Sequence, residues 1–320
     1  MRAVVQPAAL VERALDGDRV ATAKLLSLVE QGGDDARRAV ALLHPHTGRA
    51  WSIGITGAPG SGKSTLTDRL VAALRSDGAE VGVLAVDPSS PFSGGAILGD
   101  RVRMQDHATD PGVFIRSMAT RGHLGGLALA TPQAVRVLDA VGKAWVVVET
   151  VGVGQVEVEI AKQADTTVVV VNPGWGDAVQ AAKAGLLEIA DVFVVNKADR
   201  PGAADAVRDL EGMLEMSGDT DWRPPIVRTV ATTGEGVDEL HVALARHRAH
   251  LECDGRIDRR RRDRIAAELG TIVAERLLAV ARARAGGDAF DALVDDVVNG
   301  RRDPYDAADM LLVGVLHGDD

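Results

Sequence analysis

Residues 57–64 read G-A-P-G-S-G-K-S, which matches the pattern G-x-x-x-x-G-K-[ST]. The apolar segment Trp51–Ile55 precedes this stretch, and Leu66, Leu70 and Leu74 follow it at the spacing of a helix face. A strand, a glycine-rich loop and a helix in this order predict a phosphate-binding loop. Any fold proposed for the chain has to place this loop between a buried strand and a helix N-terminus.

The chemistry of such a loop follows from its residue types. Glycines allow a tight turn that aims backbone N–H groups at a polyphosphate, and the helix that follows adds the positive end of its dipole. Lys63 is expected to reach the β- and γ-phosphates, and the Ser64 hydroxyl is expected to bind Mg²⁺. The predicted nucleotide-binding residues of this region are Gly57, Ala58, Pro59, Gly60, Ser61, Gly62, Lys63, Ser64 and Thr65.

Strand-like apolar runs alternate with helical patterns after Trp51. They cover residues 81–86, 144–148, 166–171, 192–195 and 226–230. Because several of these runs are apolar on both faces, we expect a mostly parallel sheet with helices on both faces, an α/β fold of the P-loop NTPase class. Ligands in such folds bind at the carboxyl ends of the strands, so polar residues that follow the runs are the candidate site.

Two of the runs end in carboxylates. Asp87 follows the second strand and Glu149 follows the third, and Asp100 lies in the glycine-rich segment between them. Carboxylates beside a phosphate-binding loop can hold Mg²⁺ directly or through its waters. The backbone N–H of Gly152 is expected to contact the γ-phosphate. This segment would then distinguish a bound nucleoside triphosphate from a diphosphate.

Three segments between these strands, residues 94–101, 114–119 and 122–126, have polar side chains and either contain glycines or lie between them. This composition predicts mobile loops. Two interpretations of Arg116 stay open: neutralisation of phosphate charge, or an exposed or salt-bridged arginine. His123 is assigned no catalytic role.

A second motif identifies the base. Asn196, Lys197 and Asp199 fit N-K-x-D after the strand 192–195. The Asp199 carboxylate can accept from guanine N1–H and from its 2-amine, whereas adenine would leave it unpaired at a cost of about 1–3 kcal/mol. Ala231 and Thr232 begin a loop after the last strand whose backbone is expected to touch guanine O6. We therefore predict that the nucleotide is GTP or GDP.

The two ends of the chain read as helical. Residues 1–50 predict two or three short helices with breaks at Gly17 and at Gly32-Gly33. The central G domain is expected over 51–252, and a helical C-terminal arm over 253–320. The arm carries an apolar face of Ile265, Leu269, Val273, Leu277 and Val280. Such a face predicts a homodimer, with packing on its own domain as the alternative.

Composition excludes several partners. The formal net charge of -10 argues against nucleic acid and anionic membranes, and the basic run at 256–264 is interrupted by Asp258 and Asp263, as in a solvated linker or a first helix turn. The single cysteine, Cys253, allows neither an internal disulfide nor a cysteine-based metal site, which favours the cytoplasm. The sequence shows no targeting segment and no apolar run of membrane-spanning length, so no membrane association is expected.

These motifs together resemble the MeaB/ArgK-type GTPases that accompany adenosylcobalamin-dependent acyl-CoA mutases, chiefly methylmalonyl-CoA mutase. The resemblance covers nearly the whole chain and depends on residues 57–64, 87–91, 94–101, 149–155 and 196–199. It implies a Mg²⁺ shell drawn from Ser64, Asp87, Asp100 and Glu149, a dimer joined by the C-terminal arm, and an additional switch over residues 172–183. Val156 departs from the family pattern, which has a serine after the glutamine.

The function that the resemblance implies is a GTPase chaperone that gates cofactor loading onto the mutase and protects or reactivates it, with the adenosyltransferase as a further partner. Hydrolysis is expected by positioning and charge stabilisation, with catalytic roles for Lys63, Glu149, Gly152 and Gln155. Because no in-chain arginine finger is evident, we expect slow intrinsic turnover that a partner stimulates. The alternatives are a metal-insertion GTPase, a transport-associated kinase and a GTP-controlled interaction dimer.

Overall fold

A computed structural model gives the structure of the chain and describes residues 6–87, 107, 109–119, 124–150, 159, 161, 163–174, 188–216, 218 and 221–316. The chain divides into two compact units, residues 1–260 and residues 261–320. In the part of the chain so described, no helix is long and apolar enough to cross a membrane.

The first unit is built on a seven-stranded sheet in the order β3-β2-β4-β1-β5-β6-β7. Every pairing between these strands is parallel, which confirms the predicted α/β class. The strands are Trp51–Gly57 (β1), Val81–Asp87 (β2), Val113–Ala119 (β3), Trp145–Thr150 (β4), Thr166–Val171 (β5), Val192–Asn196 (β6) and Ile226–Thr229 (β7).

Helices join and cover the strands. Those of the described residues are Pro7–Leu15 (α1), Arg19–Gln31 (α2), Gly33–Leu43 (α3), Lys63–Ser76 (α4), Leu124–Ala140 (α5), Ala203–Met216 (α6), Val237–Glu252 (α7), Arg256–Val298 (α8) and Pro304–Leu316 (α9). Short 3-10 turns lie at His44–His46 and Cys253–Gly255. The basic run at 256–264 therefore forms the start of α8, which is the helical alternative of the two interpretations given from the sequence, a solvated linker or a first helix turn.

The sheet is buried on both faces, because successive side chains of a strand point to opposite sides. In β4, Val146 and Val148 belong to a core shared with α1, α2, α3 and α5, whereas Val147 belongs to a core shared with α4 and α7. A third cluster packs α6 against β5 and β6. The long apolar runs in the sequence are the direct result of this double burial.

Residues 7–43 form three helices, α1 to α3, with the predicted breaks between them. Gly17 adopts φ +90°, and Asp18 then caps α2 by accepting from Val20 N at 2.8 Å and Ala21 N at 3.0 Å. Gly32, at φ +71°, separates α2 from α3. The pKa of Asp18 lies below its ordinary value, because its carboxylate accepts hydrogen bonds from Ala21 N, the largest influence, from the Arg13 side chain and from Val20 N.

The loop predicted for residues 114–119 is wrong. Val113–Ala119 forms β3, an edge strand paired with β2 along its length, and Phe114 and Met118 are buried against the N-terminal helices. Arg19 binds this edge through the carbonyls of Pro111, at 2.9 Å, and Val113, at 2.8 Å. The flanking glycines suggested a loop, whereas alternation of buried side chains along a paired strand determines the structure.

The loop predicted for residues 122–126 is also wrong in its second half. Leu124, Gly125 and Gly126 lie in the first turn of α5, where burial of the helix further along outweighs the low helix propensity of glycine. Residues 94–101 and 122–123, the remainder of these loop predictions, lie outside the described residues.

The second unit contains α9 and the part of α8 from Arg261 onward. Ala281 and Ala307 are buried, and Arg302 binds Asp306 at 2.7 Å and Asp296 at 3.3 Å across the turn between the helices. These bonds, chiefly the one to Asp306, raise the pKa of Arg302. The apolar face predicted for the arm is solvent-exposed, by 40–56% for Ile265, Leu269, Val273, Leu277 and Val280.

Candidate functional site

The phosphate-binding loop lies at the carboxyl edge of the sheet, where β1 ends at Gly57 and α4 begins at Lys63. Gly57, Gly60 and Gly62 have φ values of +146°, +74° and +93°. A Cβ at Gly57 would collide with the Val170 carbonyl, and one at Gly62 would collide with the side-chain amide of Asn196. The glycines of the motif are thus required both by the turn and by neighbouring strands.

Lys63 is 7% exposed, and its Nζ donates to the carbonyls of Gly57 at 2.6 Å and Ala58 at 3.1 Å. The ammonium group is therefore held above the loop by two backbone oxygens that belong to the motif itself. The same group can donate to phosphate oxygens bound by the loop, because an ammonium has three donors and rotates freely.

Ser64 and Glu149 meet at this edge. The Ser64 Oγ donates to Glu149 Oε1 at 2.6 Å, and the two residues are 9% and 2% exposed. Asp87 ends β2, and the preceding residue of that strand pairs with Thr150, the residue after Glu149. The backbone of Asp87 therefore reaches the same edge, and its side chain lies outside the described part of the structure. A hydroxyl and a carboxylate are the hard oxygen ligands that Mg²⁺ prefers, so the pair fits this ion.

Asn196 joins three parts of the site. Its Nδ2 donates to the Ser61 carbonyl at 2.7 Å, and its Oδ1 accepts from Thr229 Oγ1 and Ala231 N, both at 3.1 Å. Lys197 has φ +58°, a conformation rare for lysine, and its Nζ donates to Gly60 O at 2.5 Å. The motif after β6 is thus bound to the phosphate loop on one side and to the loop after β7 on the other.

Asp199 lies in the exposed turn that follows, so its carboxylate is accessible to a ligand. Ala231 is buried and Thr232 is exposed in the loop after β7. The structure therefore brings both halves of the predicted base site to the carboxyl edge, next to the phosphate loop.

Sequence reasoning missed Arg69. Its Nε and Nη2 donate to the carbonyls of Ala231 and Thr232, each at 3.3 Å, so a side chain of α4 binds the loop after β7. The available signal was its position six residues after Lys63, on the helix that starts at the phosphate loop.

Arg116 forms a salt bridge, which is the second of the two interpretations given from the sequence. Its guanidinium donates to Glu30 Oε2 at 2.9 Å and to Ser27 Oγ at 3.0 Å, with Glu30 only 6% exposed. This ion pair joins β3 to α2. The charge of Arg116 is therefore committed to the N-terminal helices.

Several predicted residues cannot be placed. Asp100, Gly152, Gln155, Val156 and His123 lie outside the described residues, as do residues 175–183 of the predicted switch. Of that switch, Asn172 donates through Nδ2 to Pro173 O at 3.1 Å. Among the described residues, no group of three or more His, Cys, Asp and Glu side chains could hold a metal ion.

A polar network, also missed by sequence reasoning, lies at the opposite, amino edge of the sheet. Asp191 accepts from both terminal nitrogens of Arg260, at 2.9 and 2.7 Å, and lies 3.3 Å from His247 Nε2. His247 Nδ1 is 2.9 Å from Thr166 Oγ1. Burial raises the pKa of Asp191, but the hydrogen bonds from His247 and Arg260 outweigh it, and the pKa lies below its ordinary value.

The fold and the carboxyl-edge site define a P-loop GTPase. Residues 22–286 match the family model described as Methylmalonyl Co-A mutase-associated GTPase MeaB. The chain belongs to this family, as the resemblance in its motifs predicted.

Relatives agree with this assignment. A Pyrococcus abyssi protein whose name describes a GTPase is 52% identical over 313 residues, 97% of each chain. The GTPase ArgK of Escherichia coli is 35% identical over 77% of each chain. The methylmalonic aciduria type A homolog of mouse mitochondria is 32% identical over 81% of this chain and 64% of its own.

A solved structure shares the fold over its whole length. The crystal structure named as a LAO/AO transport system kinase superposes with a TM-score of 0.74 at 25% identity, covering 98% of this chain and 99% of that one.

Proposed function

We propose that this protein is a Mg²⁺-dependent GTPase that acts as a chaperone for an adenosylcobalamin-dependent acyl-CoA mutase, methylmalonyl-CoA mutase or a close relative. The observation that carries the proposal is the match of residues 22–286 to a family defined by association with that mutase. The name of the mouse relative, which refers to methylmalonic aciduria, supports the same client.

Guanine nucleotides occupy the carboxyl edge in this proposal. The phosphates lie in the loop from Gly57 to Thr65, and the base lies between Asp199 and the loop of Ala231 and Thr232. The bonds from Asn196 to Ser61 O and from Ala231 N to Asn196 support it, because they fix the phosphate and base subsites relative to each other. A preorganised pair of subsites binds a nucleotide without having to order them first.

Mg²⁺ fits Ser64 and Glu149, whose oxygens lie 2.6 Å apart, with Asp87 and Asp100 proposed as further members of the shell. When bound, the ion supplies charge neutralisation for the β- and γ-phosphates. Lys63 holds the same phosphates from its position over Gly57 and Ala58. Gly152 and Gln155 remain predicted contributors, to the γ-phosphate and to water orientation respectively.

Slow intrinsic turnover with stimulation by the mutase is part of the proposal. Arg116, the arginine considered for charge stabilisation, is bound to Glu30, so its charge is not available as an arginine finger. Turnover then depends on a partner that orders the switch segments, among them residues 172–183. The proposal includes gated cofactor loading, protection of the mutase and contact with its adenosyltransferase, in the cytoplasm.

A homodimer joined by the C-terminal arm is also proposed. The exposed apolar face of Ile265, Leu269, Val273, Leu277 and Val280 supports it, because exposed stripes of this kind are typical of helices that pack on a partner. Sedimentation equilibrium of the full chain tests this, with Leu269→Glu expected to shift the protein towards monomer.

A second candidate is a kinase of a transport system, favoured by the name of the structure that superposes at TM-score 0.74. It requires transfer of the γ-phosphate to a protein instead of water. Incubation with γ-labelled GTP distinguishes the two, because a hydrolase releases all label as inorganic phosphate. A metal-insertion GTPase has no support from the described residues, which hold no candidate metal cluster.

The proposed function is tested by GTP turnover of the purified full chain, alone and with each cobalamin-dependent mutase of the same source. Stimulation of about tenfold or more by one mutase is expected if that partner supplies transition-state stabilisation or orders the switches. Lys63→Ala is the inactive control. If no mutase changes turnover and none co-elutes with the GDP- or GTP-analogue-bound protein, the chaperone role is contradicted and the GTPase assignment remains.

A further inference from the structure

We propose that Arg69 is a positioning residue for guanine recognition, acting through the Ala231–Thr232 peptide. The inference rests on the proposed function, since it assumes a guanine base beside this loop. It adds a residue outside both nucleotide motifs. The chemical group that it serves is the oxygen at position 6 of the purine.

Arg69 lies on α4, the helix that begins with Lys63 and Ser64. Its Nε donates to Ala231 O and its Nη2 to Thr232 O, each at 3.3 Å. A guanidinium presents these two donors in a rigid planar fork, so it binds two successive carbonyls in one fixed orientation. Lysine at this position could bind only one of them at a time.

The bound carbonyls belong to the peptides that carry the N–H groups of Thr232 and Thr233. Thr233 N already donates to Val230 O at 3.0 Å, and Ala231 N donates to Asn196 Oδ1 at 3.1 Å. Among the described residues the Thr232 N–H has no acceptor, and Thr232 is exposed. A cation at the carbonyl oxygen polarises its peptide and strengthens that N–H as a donor. The Thr232 N–H is thus the group that Arg69 prepares for an oxygen acceptor.

The loop does not need Arg69 in order to fold. Thr233 N and Gly234 N both donate to Val230 O, and Val230 N donates to Glu235 O at 2.9 Å. These bonds close the turn without any contribution from α4. Because Arg69 is exposed and its bonds are long, we expect its loss to alter the orientation and polarisation of one peptide while the fold is preserved.

Arg69 also completes a second connection between the subsites. Asn196 joins the phosphate loop to the base loop through Ser61 O and Ala231 N. Arg69 joins the helix that follows the phosphate loop to the next two carbonyls of the same base loop. A base loop held from two sides keeps its donor at a fixed distance from the phosphates.

Three nucleotides distinguish a role of Arg69 in the recognition of O6 from a general effect on nucleotide binding. GDP carries both O6 and the 2-amine, IDP keeps O6 but lacks the amine, and 2-aminopurine riboside diphosphate keeps the amine but lacks O6. Their affinities are measured by calorimetry with Mg²⁺ on the full-length wild type, Arg69→Gln and Arg69→Lys. Arg208→Gln, which removes an exposed charge on α6, is the matched control.

Arg69→Gln is expected to weaken GDP and IDP by roughly 3- to 10-fold each, and the 2-aminopurine nucleotide by about 2-fold or less. Arg69→Lys is expected to show the same selective loss, because it lacks the fork, and Arg208→Gln is expected to bind like the wild type. Equal losses for all three nucleotides, or no loss, would overturn the role of Arg69.

The wild-type data keep the two proposals apart. If the wild type binds GDP no better than ADP, guanine recognition itself fails, and the role of Arg69 fails with it. If the wild type prefers GDP strongly but Arg69→Gln leaves the ratio of GDP to 2-aminopurine affinity unchanged, only the inference about Arg69 is overturned.

Discussion

The two edges of the sheet are built from different chemistry. At the carboxyl edge, glycines with positive φ, a hydroxyl–carboxylate pair and side chains bound to backbone carbonyls surround the phosphate loop. At the amino edge, Asp191, Arg260, His247 and Thr166 form a closed polar network. The first set presents groups that a ligand can take over, whereas the second satisfies its own charges internally. This difference indicates that the residues that bind the ligand lie at the carboxyl ends of the strands, and that the buried polar network that stabilises the fold lies at their amino ends.

The largest effect is expected for Lys63→Ala at the carboxyl edge, where GTP turnover should fall while thermal stability is kept. Loss of the ammonium removes a donor to the phosphates and should lower GTP turnover by about 10²- to 10³-fold. The ammonium is a buried charge held by the carbonyls of Gly57 and Ala58, so its removal relieves a desolvation cost that offsets the lost hydrogen bonds, and the melting temperature should change little. Turnover assays and thermal unfolding check the two halves. A large loss of stability in this variant would show that the edges are not separate in the way proposed.

The opposite result is expected for Asp191→Ala at the amino edge. Removing the carboxylate leaves Arg260 and His247 without their shared acceptor and should destabilise the protein by about 3 kcal/mol. The fraction that folds should hydrolyse GTP at the wild-type rate. Urea unfolding measures the first effect and turnover below the midpoint measures the second. A GTPase defect in fully folded protein would contradict the separation.

The same carboxylate predicts a pH dependence. The pKa of Asp191 in the folded protein is lower than its ordinary value of 3.8. Its contribution is therefore fully present above that value and is lost as the pH falls through the lower folded pKa. The difference in unfolding free energy between wild type and Asp191→Asn should persist from pH 7 to about pH 5 and shrink towards pH 3. A difference that grows on acidification would contradict the assignment.

Ser64→Ala is expected to have a smaller effect. It removes one oxygen ligand and the hydrogen bond to Glu149 Oε1, so the Mg²⁺ concentration for half-maximal turnover should rise by about 10-fold. A titration of turnover with Mg²⁺ measures the shift. Ser76→Ala, which removes an exposed serine hydroxyl at the other end of α4, is the control. An unchanged Mg²⁺ requirement would exclude Ser64 from the metal shell.

The smallest effect is expected for Arg116→Gln, which tests an ion pair between the edges. The partly buried bond to Glu30 should contribute about 1 kcal/mol to stability, and its loss should leave nucleotide affinity unchanged. Chemical unfolding and GDP titration measure the two quantities. Weaker GDP binding would return Arg116 to the phosphate role considered from the sequence.

How far the sequence predicts the structure differs between the two edges. The phosphate loop and the guanine motif are recognisable because contiguous residue types impose their geometry, and the strands are recognisable because burial on both faces makes them apolar throughout. The amino-edge network combines Thr166, Asp191, His247 and Arg260, which lie far apart in the chain and match no local pattern. The pairing of β5 with β6 brings Thr166 and Asp191 together, and the packing of α7 and of the first turns of α8 brings in His247 and Arg260.

Two further failures have physical causes. Residues 114–119 are predicted as a loop but belong to the strand Val113–Ala119. The glycines near both ends of this segment obscure the alternation of Val113 and Ile115 with Phe114 and Met118 on the two faces of the strand. Arg69 was missed because its partners are backbone carbonyls, and any sequence supplies those. Contacts that depend on backbone groups of distant segments leave no signature in residue identity.

Calorimetric titration of the full chain with Mg·GDP and, separately, with Mg·ADP tests most directly whether the carboxyl edge is a guanine-nucleotide site. We expect GDP to bind at least about 10³-fold more tightly than ADP, because Asp199 pairs with the guanine edge and has no partner on adenine. Equal affinities, or binding of GDP that survives Asp199→Ala unchanged, would contradict this assignment.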